Sequence, residues 1–302
     1  MKVKLCILLL LFSNSSFGQD FFVPKDSLSK KRMLWVGSTE IGLAAGSVIG
    51  TWSFWYKTQE LTKLHSFDDS KEWGGMDKLG HAYTANKITG LSTKLARWSG
   101  LKPMKARLYG FGVAMAYQTS LELMDGFSVG WGFSWTDMLA NTSGSAVYVL
   151  QDWAWKEQRI LLKFSYAPTE YAAFRPNTLG STFGERLFKD YNGQTHWVSG
   201  NISAFMSENT KFPKWMNIAI GHSMDQKMYG NGIVSTFTRD GKTYNFSAQH
   251  QWFLSLDIDF TRIKTSKKWL KTVFNTLNLV KVPFPALILQ GGKLGFSPSS
   301  YK

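Results

Sequence analysis

Three groups of polar residues stand in otherwise apolar stretches of this chain. Asp77, Lys78 and His81 open one stretch, Glu122 and Asp125 close the next, and Ser134, Asp137 and Asn141 open a third. Carboxylates beside an imidazole can transfer protons. The same donors can hold a divalent cation, and Lys78 can contact an anion. Asp77 and His81 are four residues apart and share a helix face, while Lys78 lies roughly 100° around that helix. Phe111, Met115, Gln118, Glu122 and Asp125 form one stripe on the second stretch, and Asp137, Asn141, Gly144 and Tyr148 form one on the third. Three uses stay open at this point. The set is a structural network of caps and mutually satisfied side chains, an acid–base or headgroup site with His81 and Glu122 as the proton-transfer candidates, or a metal site. The stretch has no second nearby histidine and no sharp ligand motif. No metal ligand, catalytic residue or cofactor is therefore assigned.

The elements that must position these residues follow from the helical period. It predicts helices over about 77–98, 104–124 and 135–156, broken at Leu101-Lys-Pro103 and again at Asp125-Gly126, Gly130 and Gly132. Ser134 and Asp137 have capping-box spacing. Short connections make successive helices antiparallel. The start of the first helix, the end of the second and the start of the third then lie at one end of the bundle, and the three polar groups converge there. Before them, Met33 to Tyr56 carries Glu40 as its one charge, Gly42, Gly46 and Gly50 on one face, and Trp52, Trp55 and Tyr56 at its far end. This stretch reads either as a membrane-embedded helix with a close-packing stripe and an aromatic belt, or as the central helix of a soluble bundle.

From Arg159 the pattern alternates. Met216, Ile218 and Ile220 share one face of a strand, and Leu254, Leu256, Ile258 and Phe260 share another, with Ser255, Asp257 and Asp259 opposite. Asp240-Gly241 reads as a hairpin turn, and Ala286 to Leu289 as a last strand. Trp269, Leu270, Val273, Phe274 and Leu277 keep helical spacing beside Lys264, Lys267, Lys268 and Lys271. They make a basic amphipathic helix, either interfacial or packed on the sheet. The expected fold class is α+β: a membrane-apposed four-helix bundle, then an antiparallel β region that is a sheet or a small barrel. The expected divisions are a signal peptide at 1–18, a polar lead-in at 19–32, a helical domain at 33–157 and a β-rich region at 158–302.

The signal peptide rests on Lys2 and Lys4, an apolar core from Leu5 to Phe12 and a small polar stretch to Gly18. That core is shorter than the roughly 20 residues a span needs. Cys6, the chain's one cysteine, falls inside it, so no disulfide or thiolate site is expected in the mature protein. The net charge is +14, and aromatic residues make up 15%, thirteen of them Trp. For an exported protein this favours membrane lipid or an anionic envelope polymer as partner. No nucleic-acid motif is present.

The pattern Asp77-Lys78-x-x-His81, the acidic helix end Glu122 and Asp125, and Ser134-x-x-Asp137-x-x-x-Asn141-x-x-Gly144 resemble the YfiM-like family of predicted periplasmic lipoproteins, a domain of unknown function. They bear a fainter likeness to VanZ-like membrane proteins. The likeness covers about residues 35–155. A lipoprotein's cysteine after the signal core is missing here. VanZ-like chains tend to have glutamine where Asp125 stands, and arginine where Gly132-Phe133 stand. The stretch from Lys189 to Trp197, with Phe174-Arg175-Pro176, resembles the extension that accompanies this domain in envelope proteins. Its Tyr191, His196 and Trp197 form either a sugar-stacking surface or the packing of the Asn192-Gly193 turn. The resemblance implies an envelope protein, in the periplasm or at the outer membrane, of undefined role. The expected function is binding or organising lipid, glycolipid or wall polymer. The alternative is a membrane-associated enzyme acting on a lipid or glycan headgroup, metal-assisted or not.

Overall fold

The structure is a computed structural model that describes residues 23–56, 59–207 and 209–299. The signal segment with its Cys6 and the C-terminal Tyr301-Lys302 lie outside the described residues. Helix α1 spans Lys30–Thr51, with Ser29 accepting from the Arg32 amide at its start, and runs on into a π-helical turn, Trp52–Tyr56. Helices α2 (Met76–Trp98), α3 (Pro103–Gly126) and α4 (Trp135–Ala154) follow, within a few residues of the bounds the period predicts. Pro103 opens α3, where a missing N–H costs nothing. Ser134 caps α4 by accepting from the Asp137 amide at 3.1 Å.

Helix α2 is the hub. The residues it buries are mostly small ones, among them Ala85, Thr89, Gly90, Ser92, Thr93 and Ala96, which let α3 and α4 approach its backbone. A Cβ added at Gly144 of α4 would stand 2.0 Å from the Ala82 carbonyl oxygen. Gly144→Ala therefore has to push two helices apart, and we expect it to lower the unfolding free energy by about 1–3 kcal/mol, read by chemical denaturation in matched detergent. Helix α1 is different. Among the described residues Val36 is its one buried residue, and nothing lies within 4 Å of a Cβ placed on Gly42, Gly46 or Gly50. It touches the other helices through a few polar contacts, such as Ser47 Oγ to Tyr117 OH at 2.9 Å.

The second half is one antiparallel sheet. Its strands are β1 (Ile160–Tyr166), β2 (Gln194–Asn201), β3 (Met216–Asp225), β6 (Gln249–Ile258), β7 (Ala286–Gln290) and β8 (Lys293–Ser297), in the order β1-β2-β3-β6-β7-β8. Strands β4 (Val234–Arg239) and β5 (Lys242–Ser247) form a separate hairpin. Its Asp240-Gly241 turn has positive φ at both residues, 51° and 72°, as a two-residue hairpin of this hand requires. Short helices α5 (Pro176–Leu179) and α6 (Phe183–Lys189) lie between β1 and β2, and α7 (Lys268–Leu277) lies between β6 and β7.

Among the described residues no closed barrel forms, since β1 and β8 do not pair. The sheet nevertheless rolls. Lys163 on β1 and Asp257 on β6 stand three strands apart, about 14 Å in a flat sheet, yet their charged atoms are 2.8 Å apart. Ser199 on β2 also reaches Asp257, at 2.6 Å. The face rolled inward carries Lys163, Ser199, Asn201, Asn217, Ser223, Ser255 and Asp257, all buried, around a small apolar centre of Trp197, Ala219, Phe253 and Ala286. The opposite face carries Val198, Ile218, Ile220, Trp252, Leu254, Leu256, Leu287 and Leu289, all exposed. After α7 the chain runs beside the outer edge of β1, with Phe164 and Val280 bridged in parallel. In α7, Phe274 stacks on Phe260 at 6.0 Å, while Trp269, Val273 and Leu277 remain exposed.

Candidate functional site

The three polar helix ends meet at one end of the α2–α4 bundle. His81 Nδ1 lies 3.2 Å from Asn141 Oδ1 and 3.6 Å from Glu122 Oε1. Its Nε2 lies 3.8 Å from Asp77 Oδ1 and 3.9 Å from Asp137 Oδ2. Gln118 donates to Asn141 Oδ1 at 2.5 Å and to the His81 carbonyl at 3.3 Å. With the Asn141 oxygen as acceptor, the imidazole tautomer that matches it carries its proton on Nδ1. Glu122 Oε2 accepts from the Ser134 amide at 3.1 Å, tying the end of α3 to the start of α4.

Lys78 is central despite its angular offset on the helix, because its four-carbon stem reaches back across the helix end. Its Nζ lies 2.5 Å from Asp69 Oδ2, 2.8 Å from Asp137 Oδ1 and 3.4 Å from Asp77 Oδ2. Asp69 also accepts from Ser134 Oγ at 2.6 Å and from Thr136 Oγ1 at 2.9 Å. Asp125 stands to one side, held by Tyr56 OH at 2.6 Å, and Tyr191 OH donates to Asp77 Oδ1 at 2.8 Å. Every residue singled out by sequence thus lies in or beside this cluster. Asp69, Tyr56 and Tyr191 were not singled out for it. Asp69 sits in a loop with no periodicity, and Tyr191 is 114 residues from its partner.

The electrostatics follow from burial and crowding. Burial, with the neighbouring Asp137 and Asp125 charges and against His81, pushes Glu122 up to about 8. Burial likewise raises Asp125 to about 6, against the hydrogen bond from Tyr56, and it raises Asp137 despite Lys78 and His81. Asp69 is also penalised by burial, but hydrogen bonds from Lys78 and Ser134 outweigh that and bring it down to about 2. Burial opposes charge on His81, yet Asp77, Asp137 and Glu122 together hold its pKa above the ordinary histidine value. The cluster contains five carboxyl groups against one lysine and one histidine, and burial with this crowding raises Glu122, Asp125 and Asp137 above the ordinary carboxylate range.

The Tyr191, His196 and Trp197 group does not form a common surface. Tyr191 packs on Trp73 with ring centres 5.2 Å apart, and His196 lies against Phe164 at 5.4 Å. Trp197 points into the rolled face, its indole N–H on Ser165 Oγ at 2.9 Å. These contacts are with Trp73, Phe164 and Ser165 rather than with the Asn192-Gly193 turn.

Residues 66–152 match a family model described as a predicted periplasmic lipoprotein (DUF2279). The match begins after α1 and ends within α4, so it spans every helix end of the cluster. No curated protein and no solved structure matches the chain. A domain of unknown function from the periplasmic lipoprotein group fits an exported cell-envelope protein of undefined role.

Proposed function

We propose that this chain is a membrane-associated envelope protein that binds or organises lipid, with the outer face of its rolled sheet resting against acyl chains. The observation that carries this is the inverted sheet. Its ions and amides are buried while Ile220, Trp252 and Leu254 remain 54%, 49% and 47% exposed. In water a contiguous apolar patch of this kind is unfavourable by about 25 cal/mol per Å², and patches this extended mark an interaction surface. Outward apolar and inward polar alternation is the pattern of strands that face lipid. Helix α1 supports the same reading. Among the described residues it is the one helix long and apolar enough to cross a membrane, and only 6% of its apolar window is buried. The exposed Trp269, Val273 and Leu277 of α7, beside Lys264, Lys267 and Lys271, suit an anionic headgroup layer.

The test uses single nitroxide labels placed by cysteine in a Cys6→Ser background, on the full chain reconstituted with vesicles containing anionic phospholipid. A label at Leu254→Cys is expected to be relaxed by oxygen and shielded from a water-soluble nickel chelate, whereas one at Thr238→Cys on the β4–β5 hairpin is relaxed by the chelate. Equal chelate access at both positions, with the protein failing to float with the vesicles, would overturn the proposal.

A further inference from the structure

His81 presents a geometric problem that a proton does not solve. Its Nδ1 faces the Asn141 oxygen and the Glu122 carboxyl group, two acceptors that match a hydrogen on Nδ1, while Nε2 aims at Asp77 Oδ1 and Asp137 Oδ2. A neutral imidazole in that tautomer directs a lone pair at two carboxylates. A protonated Nε2 would draw a carboxylate to about 2.7–2.9 Å, but the gaps are 3.8 and 3.9 Å. They are too wide for a hydrogen bond and the right width for a shared ion. A point equidistant from three atoms spaced this way lies on the order of 2.3 Å from each, close to the distances nitrogen and oxygen ligands keep from divalent cations.

The other oxygens are already assigned. Lys78 lies on Asp137 Oδ1 and near Asp77 Oδ2, so Asp137 Oδ2 and Asp77 Oδ1 face His81, the latter also accepting from Tyr191 OH at 2.8 Å, which leaves it a second lone pair. Asp77, His81 and Asp137 each offer one ligand atom, all within 4.8 Å of one another. An independent sign comes from Glu122. It is 1% exposed, its Oε1 has no hydrogen-bond partner, and that oxygen points at the back of the imidazole, 3.6 Å from Nδ1. A carboxylate behind a histidine is how metal-binding imidazoles are oriented and made more basic.

We propose that Asp77 Oδ1, Asp137 Oδ2 and His81 Nε2 bind one divalent cation of the first transition series, with Glu122 and Asn141 as positioning residues behind the histidine. One nitrogen and two carboxylate oxygens suit zinc, manganese or iron(II), whereas calcium and magnesium prefer all-oxygen shells. Asp77 and His81 are partly exposed, whereas Asp137 is buried. The site goes beyond lipid association and does not depend on it.

The experiment takes the full chain in detergent, strips it with chelator, and titrates it with Mn²⁺ by the loss of the free-ion paramagnetic resonance signal and with Zn²⁺ by calorimetry. One ion per chain is expected for each metal. Asp137→Asn and His81→Ala should each weaken binding at least 100-fold, and Glu122→Gln about 10–100-fold, with far-UV circular dichroism confirming that each variant is folded. X-ray absorption at the zinc edge of the wild-type protein, which needs no variant, should show a single imidazole among light-atom ligands. Binding of no ion by the wild type, binding of Ca²⁺ in preference to Mn²⁺, or a bound zinc lacking imidazole would each overturn the proposal.

Discussion

Replacing Lys163 by methionine should lower the unfolding free energy by about 3–5 kcal/mol, the range for breaking a buried ion pair from one side. Lys163 and Asp257 are both fully buried, with their charges 2.8 Å apart. Lys163 Nζ also donates to the Ile258 carbonyl at 2.6 Å, so methionine removes a hydrogen bond as well as a charge. What remains is a buried Asp257 carboxylate that accepts from Ser199 Oγ and has the more distant Lys281 as its nearby cation. The double variant Lys163→Met/Asp257→Asn removes the orphaned charge and should recover most of the loss, because an uncharged pair of similar volume is often as stable as the ions it replaces. Urea unfolding in matched detergent, followed by tryptophan fluorescence for the four proteins of the cycle, gives the coupling directly. Additive effects would mean that the sheet does not roll far enough to bring β1 to β6, and the assignment of its polar face as interior would fail with it.

That interior was the part of the fold least legible in the sequence. Alternation along 216–220 and 254–260 identifies two faces, and the strands follow it as far as Ile258, where β6 ends and Asp259 caps a 3-10 turn that Phe260 opens. It does not say which face is buried. The answer depends on rolling, and rolling depends on contacts such as Lys163–Asp257 between residues 94 positions apart, which no local pattern carries. The helical half was more legible because its argument needed only order and short connections. Antiparallel helices 77–98, 104–124 and 135–156 must bring the ends bearing Asp77, Glu122 and Asp137 together, and they do. The partners supplied from outside those helices were not legible: Asp69 from a loop, Tyr56 from the turn after α1, and Tyr191 from beyond the first strand. Lys78 shows a limit of helical-wheel reasoning, since a long side chain can reach around a helix end that an angle of 100° seems to forbid. The glycines of α1 show another limit. Their spacing is that of a packing stripe, yet among the described residues nothing packs on it.

His196 should make the protein labile to acid. It sits between α2 and the sheet, 8% exposed, with neither ring nitrogen hydrogen-bonded. Tyr83 and Phe164 flank its ring. The charged and titratable groups facing it are Asp77 from α2, His222 from β3 and, beyond His222, His250 from β6. Burial, with a smaller push from His222 and against the pull of Asp77, brings its pKa down to about 3 from the ordinary 6.5. Between those two values the unfolded chain binds the proton and the folded chain does not. The contribution of His196 to stability is complete above about pH 6.5 and is lost progressively as the pH falls toward 3, at up to about 1.4 kcal/mol per pH unit. The raised carboxylates of the polar cluster titrate in the opposite sense, so the raw pH profile of the wild type mixes the two. The difference between wild type and His196→Phe isolates the histidine, and phenylalanine fits a site already walled by aromatic rings. Unfolding free energies measured at pH 7 and pH 5 should fall by about 2 kcal/mol more in the wild type than in His196→Phe. Equal falls would mean that the imidazole is hydrated or paired in solution, and that the contact between α2 and β2 is looser than the ring distances imply.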